Sequence, residues 1–247
     1  MGRQARKLSH TGLYHIFFHG INRQPLFDGD SDFVYFLQSL QQLKSDMAFE
    51  LYAYCLMNKH VHLLIKEDQK GDISLAMKRL LTKYAMYFNR KYERKGALVA
   101  NRFKSVPVEV NENFLPLICY IHQNPLKAGV VNQLEDYQYS SYLDYVQGGN
   151  LTDTAFSLNL VGKEEWLRLH QIIIEDYFDV AGKIRLSEEK MRHRILQHTN
   201  GCEPREIAVW PKQERDACIR QLKEVEGFSI RQIERMTGIS RGVIAKS

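Results

Sequence analysis

Apolar and polar residues along the first 109 positions follow a strand pattern in four places and a helix pattern in two. The strand-type segments, which are rich in β-branched and aromatic residues, are residues 13–18, 49–57 and 60–66 and a stretch within 98–109. Apolar residues at helical spacing predict helices over residues 31–45 and 73–95. This β-α-β-β-α-β order is the ferredoxin-like arrangement, so we expect an α+β fold with an antiparallel sheet and helices on one face.

A further helix is predicted directly after this sheet. Asn113 suits an N-cap, Pro116 suits a first helical turn, and an apolar stripe follows them. Pro125 disfavours helical geometry at Asn124, so the helix is expected to end there. Tyr120 and Asn124 are four residues apart and therefore share one face of this helix, which is expected to pack against the sheet.

The end of the chain is predicted to be a separate all-α region. Glycines at 148 and 149 favour a boundary, which gives a first domain over 1–147, a helical linker region over 148–186 and a C-terminal domain over 187–247. Helices are predicted over 187–198 and 213–225. Ser229 and Ser240 then cap two short helices around a turn at Gly238, a pattern typical of the helix-turn-helix motif. Only seven residues follow Ser240, which is short for a recognition helix, so we expect the sequence to stop within that helix.

The composition excludes several classes of protein. Hydrophobic residues make up 44% of the chain without any apolar run of 18 residues, so no transmembrane helix and no membrane association are expected. The basic first ten residues lack the apolar segment of a secretory signal. The cysteines form no CxxC pair, which favours free thiols in a reducing cytoplasm over a disulfide or zinc framework. They are Cys55, Cys119, Cys202 and Cys218.

The positive charge is concentrated in one segment. The net charge is only +5, but residues 77–104 contain nine basic residues and one acidic residue, with aromatic residues among them. An amphipathic helix with a cationic outer face can neutralise phosphates, and a nearby aromatic ring can stack on an unpaired base. The candidate DNA-binding residues of this segment are Lys78, Arg79, Lys83, Arg90, Lys91, Arg94, Arg102 and Lys104.

Two histidines in the third predicted strand form a candidate half of a metal site. His60 and His62 flank Val61, and residues i and i+2 of a strand point to the same face. Neutral imidazole is the commonest metal ligand in proteins. This two-histidine pattern is weak by itself, because two histidines without any ligand show the same spacing. The phenol of Tyr120 and the amide of Asn124, which share a helix face, would complete a set of groups for phosphoryl transfer.

The segments NKHVHLLIK (58–66) and YIHQNPLKAGVV (120–131) together resemble the single-tyrosine HUH transposases, and in particular the REP-associated tyrosine transposases. Three further blocks agree in order and spacing, namely YHIFFHGINR (14–23), MYFNRKYERKGALVANRFKS (86–105) and YSSYLDY (139–145). The resemblance covers residues 8–146. Two dipeptides depart from the family pattern: His-Gly at 19–20 replaces the more usual Arg-Gly, and Lys-His at 59–60 replaces Asn-His. Both lie beside the matched positions and leave the chemistry intact.

This resemblance implies a transposase that acts on single-stranded DNA carrying a hairpin. His60, His62 and the side-chain oxygen of Asn124 would hold a divalent metal ion, Mg²⁺ or Mn²⁺. Tyr120 would attack a phosphate and form a 5′-phosphotyrosine link, and a 3′-OH could later rejoin the DNA without ATP. His19 is a possible substrate contact, since it lies on the same face of the first strand as His15.

The C-terminal domain adds its own candidate DNA contacts. The basic residues around its proposed turn are Arg231, Arg235 and Arg241. The chain could act as a monomer or a homodimer. Two other functions are alternatives: a histidine-triad nucleotide hydrolase, which needs a third histidine where Leu64 stands, and a DNA-binding regulator that keeps this fold without cleaving DNA.

Overall fold

The computed structural model divides the chain into two compact units, residues 1–174 and 175–247. The structure describes residues 8–69, 71–100, 102–108, 110–174, 188–224 and 228–247. Within these ranges, no helix is both long enough and apolar enough to cross a membrane. All four cysteines are free, as predicted.

The first unit is built on a four-stranded sheet. Its strands are β1 (Leu13–His19), β2 (Glu50–Met57), β3 (His60–Lys66) and β4 (Lys104–Pro107). They lie in the order β2-β3-β1-β4 with antiparallel neighbours, so the predicted α+β, ferredoxin-like fold is confirmed. The fourth strand is shorter than the segment that was predicted to contain it, and residue 109 lies outside the described residues.

Two long helices cover one face of the sheet, as the pattern predicts. They are α1 (Asp30–Met47) and α2 (Asp72–Lys91). Ile16 and Val61 of the strands share one buried cluster with Phe36 of α1 and Leu80 of α2. The second helix ends at Lys91, four residues before the predicted end at 95, because the backbone at Glu93 turns to a positive φ of 51°.

The other face of the sheet is covered by the helix that carries Tyr120. This helix, α3 (Val110–His122), packs against β2 and β3 and is followed by the short α4 (Asn124–Lys127). The expectation that Asn113 caps α3 is wrong, because the helix already begins at Val110 and Pro116 lies inside it. Gln123 separates the two helices, and Pro125 occupies the first turn of α4, where its missing N–H costs little.

Three further helices complete the first unit: α5 (Tyr142–Gln147), α6 (Thr154–Val161) and α7 (Lys163–Gln171). The rings of Tyr145 and Trp166 stack with their centroids 4.4 Å apart, which fixes α7 against α5. The helices α6 and α7 therefore belong to the first unit. The later part of the predicted linker region, residues 175–186, lies outside the described residues.

The outer edge of β2 is paired with the chain that follows α4. Leu56 N donates to Tyr139 O at 2.9 Å, and Ser141 N donates to Tyr54 O at 3.0 Å. Farther along the same edge, Asp153 N donates to Leu51 O at 2.8 Å. These bonds satisfy backbone groups that an edge strand would otherwise leave exposed.

The second unit is helical, as predicted. Its helices are α8 (Glu188–His198), α9 (Lys212–Glu224), α10 (Ile230–Thr237) and α11 (Arg241–Lys246). Ile195, Ile219, Ile233 and Ile244 meet in its buried core, one from each helix. The Ser229 hydroxyl accepts from Gln232 N to cap α10, and Gly238 ends it with a φ of 75°, which matches the predicted helix-turn-helix pattern. Ser187 and Val225, the predicted ends of two helices, lie outside the described residues.

Candidate active site

The two histidines of β3 point to the same face of the sheet, as predicted. Val61, between them, points to the opposite face and joins the core under α1 and α2. On the neighbouring strand β1, Phe17 pairs with His62 and His19 pairs with His60. His62 is buried and His60 is partly exposed, so the site lies at the end of β3 where solvent can reach it.

His62 has a hydrogen-bond partner on β1. Its Nδ1 lies 2.9 Å from Nε2 of His15, and the two rings stack with their centroids 5.1 Å apart. Burial, reinforced by the neighbouring His15, His60 and Lys127, holds the pKa of His62 well below its usual range. Burial likewise lowers the pKa of His15 to about 3. Both rings are therefore neutral at pH 7, and neutral imidazole is the form that binds metals.

The helix α3 brings Tyr120 to this pair of histidines. The phenol ring meets His62 edge-on with the centroids 5.7 Å apart, and it meets His15 edge-on at 6.3 Å. The Tyr120 side chain is partly exposed. A phenol so placed can be approached by a bulky molecule while its ring is held by the two imidazoles.

Asn124 lies one turn after Tyr120 and beside His60. Its Nδ2 donates to Tyr120 O at 2.9 Å and to Ile121 O at 3.2 Å, which leaves Oδ1 to face away from the end of α3. Burial lowers the pKa of the neighbouring His60, and the nearby Asn124 carboxamide partly opposes that shift.

These three residues fit a divalent metal ion. Two neutral imidazoles from β3 and one amide oxygen from Asn124 are nitrogen and oxygen donors that Mg²⁺ and especially Mn²⁺ accept. When His62 Nδ1–H is the donor in the bond to His15, Nε2 of His62 is available, as in many metal sites in which a second group orients a histidine ligand. Within the described residues, no group of three or more His, Cys, Asp or Glu side chains could hold a metal, so a site here depends on Asn124.

Sequence reasoning missed three residues of this site. His15 supports His62, and the alternation of His15, Phe17 and His19 on one strand face was its only signal. Lys127 follows Asn124 by one turn, and its Nζ lies 4.4 Å from the centroid of the Tyr120 ring. Gln123, between Tyr120 and Asn124 in the sequence, is buried and bonded to backbone groups of residues 170–174. No pattern in the sequence pointed to the last contact, because it joins segments 47 or more residues apart.

The region beside His19 requires a glycine. A Cβ at Gly20 would lie 2.0 Å from the carbonyl oxygen of Gln24, a distance that no side chain tolerates. The backbone of Gly20 donates to Lys59 O at 3.1 Å and so ties the end of β1 to the turn before His60. His19 thus has a fixed place beside the candidate metal site, and its coulombic influence contributes to the lowered pKa of His60.

Most of the predicted DNA-binding residues of α2 lie far from this site. Lys78, Arg79, Lys83 and Arg90 are exposed on the outer side of α2, whereas Tyr120 lies on the opposite face of the sheet. They line an open groove of about 1120 Å³ between α1 and α2.

Lys104 is on the face of the sheet that carries Tyr120. Its Nζ lies 5.8 Å from the ring centroid of Phe17, its partner on β1, and Phe17 stacks on His62. Arg102 is exposed in the loop before β4 and lines a second groove against α2. The candidate DNA-binding cations therefore lie on both faces of the sheet and in the loop that leads to β4.

Four other candidates make contacts within the chain. Lys91 Nζ pairs with the buried carboxylate of Asp32 at 2.6 Å, and Arg94 donates to the side chain of Gln24 at 2.6 Å. In the second unit, Arg235 pairs with Glu188 at 3.0 Å and Arg241 pairs with Glu234 at 2.5 Å. Arg231 is exposed on α10.

Comparisons with known proteins show which family this part of the chain resembles. The family model for IS200-like transposases matches residues 9–124, which include the sheet, both histidines, Tyr120 and Asn124. A proposed REP-associated tyrosine transposase of Haemophilus influenzae is 26% identical over 117 residues. That match covers 43% of this chain and 66% of the relative, just under two thirds of its length.

One solved structure shows the same fold. A REP-associated tyrosine transposase bound to a REP hairpin superimposes with a TM-score of 0.52 at 19% identity, over 63% of this chain and 96% of that one. A proposed transposase from Deinococcus radiodurans matches with a TM-score of only 0.34 at 18% identity, over 55% of this chain and 97% of that one. The resemblance to REP-associated tyrosine transposases is thus confirmed, and residues 9–124 of this chain match the family model for IS200-like transposases.

Proposed function

We propose that this protein cuts and rejoins single-stranded DNA that carries a hairpin, in a metal-dependent reaction with Tyr120 as the nucleophile. The observation that supports this most directly is the position of the Tyr120 ring, which lies edge-on against His62, while Asn124, one turn later, donates to the Tyr120 carbonyl and lies beside His60. A phenol, two neutral imidazoles and an amide oxygen meet in one partly exposed place.

The residues have distinct roles in this proposal. His60, His62 and Asn124 would hold the ion, which when bound would polarise a phosphate oxygen and offset the charge that develops on it. The Tyr120 oxygen forms a bond to phosphorus while the bond from phosphorus to the 3′ oxygen breaks. The phenol loses one proton and the departing 3′-OH gains one, so the step is balanced. Because one phosphodiester replaces another, attack by a 3′-OH can reverse the reaction and join DNA ends.

The substrate proposal combines similarity and charge. The structural relative is bound to a REP hairpin, and this chain has a large cationic surface on α2 and further cations at Arg102 and Lys104. A hairpin stem supplies closely spaced phosphates for such a surface. Since α2 and Tyr120 lie on opposite faces of the sheet, one DNA molecule that contacts both would have to pass around an edge of the sheet.

The second unit is proposed to add affinity. Its α10 and α11 around Gly238 form a helix-turn-helix arrangement, and Arg231, Arg235 and Arg241 surround the turn. Contacts with the duplex stem are the role that this geometry supports best.

A cytoplasmic location is proposed as well. The proposed reaction acts on DNA, and the four cysteines are unpaired, which suits a reducing compartment.

The decisive experiment is a search for a covalent protein–DNA adduct. Purified full-length protein would be incubated with a library of single-stranded hairpin oligonucleotides and Mn²⁺, and any adduct would be mapped by peptide mass spectrometry. We expect the link on Tyr120 alone among 13 tyrosines, its loss in Tyr120→Phe and with EDTA, and normal adduct formation in the control Tyr139→Phe. An adduct that persists in Tyr120→Phe would disprove the assignment of the nucleophile.

A further inference from the structure

The turn that carries Tyr120 and Asn124 is bound by a distant part of the chain. Residues 170–174, which begin in α7 and extend beyond it, lie beside Gln123. The Gln123 side chain is only 2% exposed. Its Nε2 donates to His170 O at 3.0 Å and to Ile172 O at 2.7 Å, and its Oε1 accepts from Ile174 N at 2.9 Å. One carboxamide thus bonds to three backbone groups of that segment.

Two neighbouring side chains bind the same segment. Nδ1 of His122 lies 2.9 Å from Nε2 of His170. Nζ of Lys127 donates to the carbonyl of Ile174 and also lies over the Tyr120 ring. Residues on either side of Asn124 are therefore attached to residues 170–174, and the Lys127 cation is held beside the proposed nucleophile.

The local structure cannot hold this turn by itself. The helix α4 has four residues, far fewer than the number that makes an isolated helix stable in water. Asn124 stands at its start, after the last residue of α3 and just before a proline. A ligand at such a junction can move relative to Tyr120 unless other contacts fix both residues.

We propose that Gln123 is a positioning residue, which fixes Tyr120 and Asn124 relative to one another by joining their turn to residues 170–174. Lys127 has the same role through its bond to Ile174. This inference rests on the proposed function, because it concerns the geometry of that reaction. Catalytic groups must be placed to within about 0.5 Å, and a displacement of about 1 Å can slow a reaction about 100-fold.

The first test compares two variants, each of which loses buried hydrogen bonds. Gln123→Met keeps the size of the side chain and removes its three backbone bonds. Tyr84→Phe is the control, since its hydroxyl donates to Leu26 O at 2.6 Å in the core on the opposite face of the sheet. Both variants should lower the melting temperature. Only Gln123→Met should also slow adduct formation at saturating hairpin DNA, by about tenfold or more, and raise the Mn²⁺ concentration needed for half-maximal rate.

The second test uses exposed residues, in case Gln123→Met does not fold. Lys127→Met is compared with Lys163→Met, because Nζ of Lys163 donates to Val146 O in the same manner, away from the site. We expect slower adduct formation in Lys127→Met with unchanged hairpin affinity, and wild-type rates in Lys163→Met. Equal rates in variant and control, while the wild type forms its adduct, would overturn this inference alone. Absence of any adduct in the wild type would instead disprove the proposed function.

Discussion

His15 Nε2 lies 2.9 Å from Nδ1 of His62, and this bond determines which nitrogen of His62 faces the candidate metal site. In the tautomer in which His62 Nδ1–H donates to His15 Nε2, Nε2 of His62 keeps its lone pair for a metal ion. Groups that orient a metal-binding histidine in this way typically contribute about 10-fold to 100-fold in metal affinity.

His15→Leu should therefore weaken Mn²⁺ binding by about 10-fold to 100-fold although His15 is not a ligand. His15→Gln, which retains a hydrogen-bonding group, should restore part of the loss. Isothermal titration of the full-length protein with Mn²⁺ measures this directly, without any assay of cleavage. Phe17→Leu is the control, because Phe17 stacks on His62 without a hydrogen bond. Equal weakening in Phe17→Leu would show that packing, and not the bond to His15, supports His62.

The stability of the first unit should fall as the pH drops below 6.5. His170 Nδ1 lies 2.8 Å from the Trp166 carbonyl and can only donate there, so its Nε2 accepts from His122, and His122 Nε2 accepts from Ser141. Both rings must stay neutral in this chain of bonds. Burial lowers the pKa of His170 to about 4. For His122, burial is the larger cause and the electrostatic influence of the neighbouring His170 is the smaller one, and together they keep its pKa well below its usual range.

Because these folded-state pKa values are depressed, the unfolded chain binds more protons than the folded chain below pH 6.5. The stabilisation is complete above that pH and is lost as the pH falls towards about 4, at up to about 1.4 kcal/mol per pH unit for each proton. Trp166 stacks on His170, so its fluorescence in a Trp210→Phe background reports urea unfolding of this unit. His170→Leu should flatten the dependence on pH, whereas substitution of the exposed His10 by Gln should leave it unchanged.

Charges on the two faces of the sheet should affect different steps. A triple substitution of Lys78, Arg79 and Lys83 by Gln should weaken hairpin binding and make it less sensitive to salt. The slope of log affinity against log salt concentration should become shallower by about 0.7 to 0.9 for each lost phosphate contact. It should not change the rate of adduct formation at saturating DNA. Lys104→Gln, on the face that carries Tyr120, should slow that rate. Binding by fluorescence anisotropy at several salt concentrations, together with single-turnover kinetics, separates the two effects.

The arginines of the second unit offer a test in which affinity should increase. Arg241 and Arg235 pair with Glu234 and Glu188, and exposed ion pairs of this kind contribute at most about 1 kcal/mol. If both arginines bind phosphates, Glu234→Gln and Glu188→Gln should strengthen hairpin binding by up to about fivefold. Glu189→Gln removes the same charge from the same helix as Glu188 and should have a smaller effect. Equal gains in all three variants would indicate a general charge effect and not contacts by these arginines.

The sequence predicted those parts of the site that depend on local periodicity. Spacing of two on a strand put His60 and His62 on one face, and spacing of four on a helix put Tyr120 beside Asn124. The contacts of His15 and Gln123 could not be predicted, because they depend on which strand lies next to β3 and on the path of the chain after α7. The basic pattern of α2 was read correctly as a cationic face, but only the packing of α2 shows that this face points away from Tyr120.

The pairing of the β2 edge limits how two copies of this protein can associate. One rim of the sheet is occupied by the chain around Tyr139 and Asp153, and the other is β4, a four-residue strand that begins with Lys104 and ends with Pro107. A short edge strand that carries lysine and proline pairs poorly with a strand of another molecule. In the described part of the chain, the sheet therefore offers no long open rim on which a second molecule could continue the hydrogen-bond ladder. A dimer, if one forms, would have to be built from side-chain contacts, and a partly unfolded chain that exposes β2 would be the species most prone to aggregate.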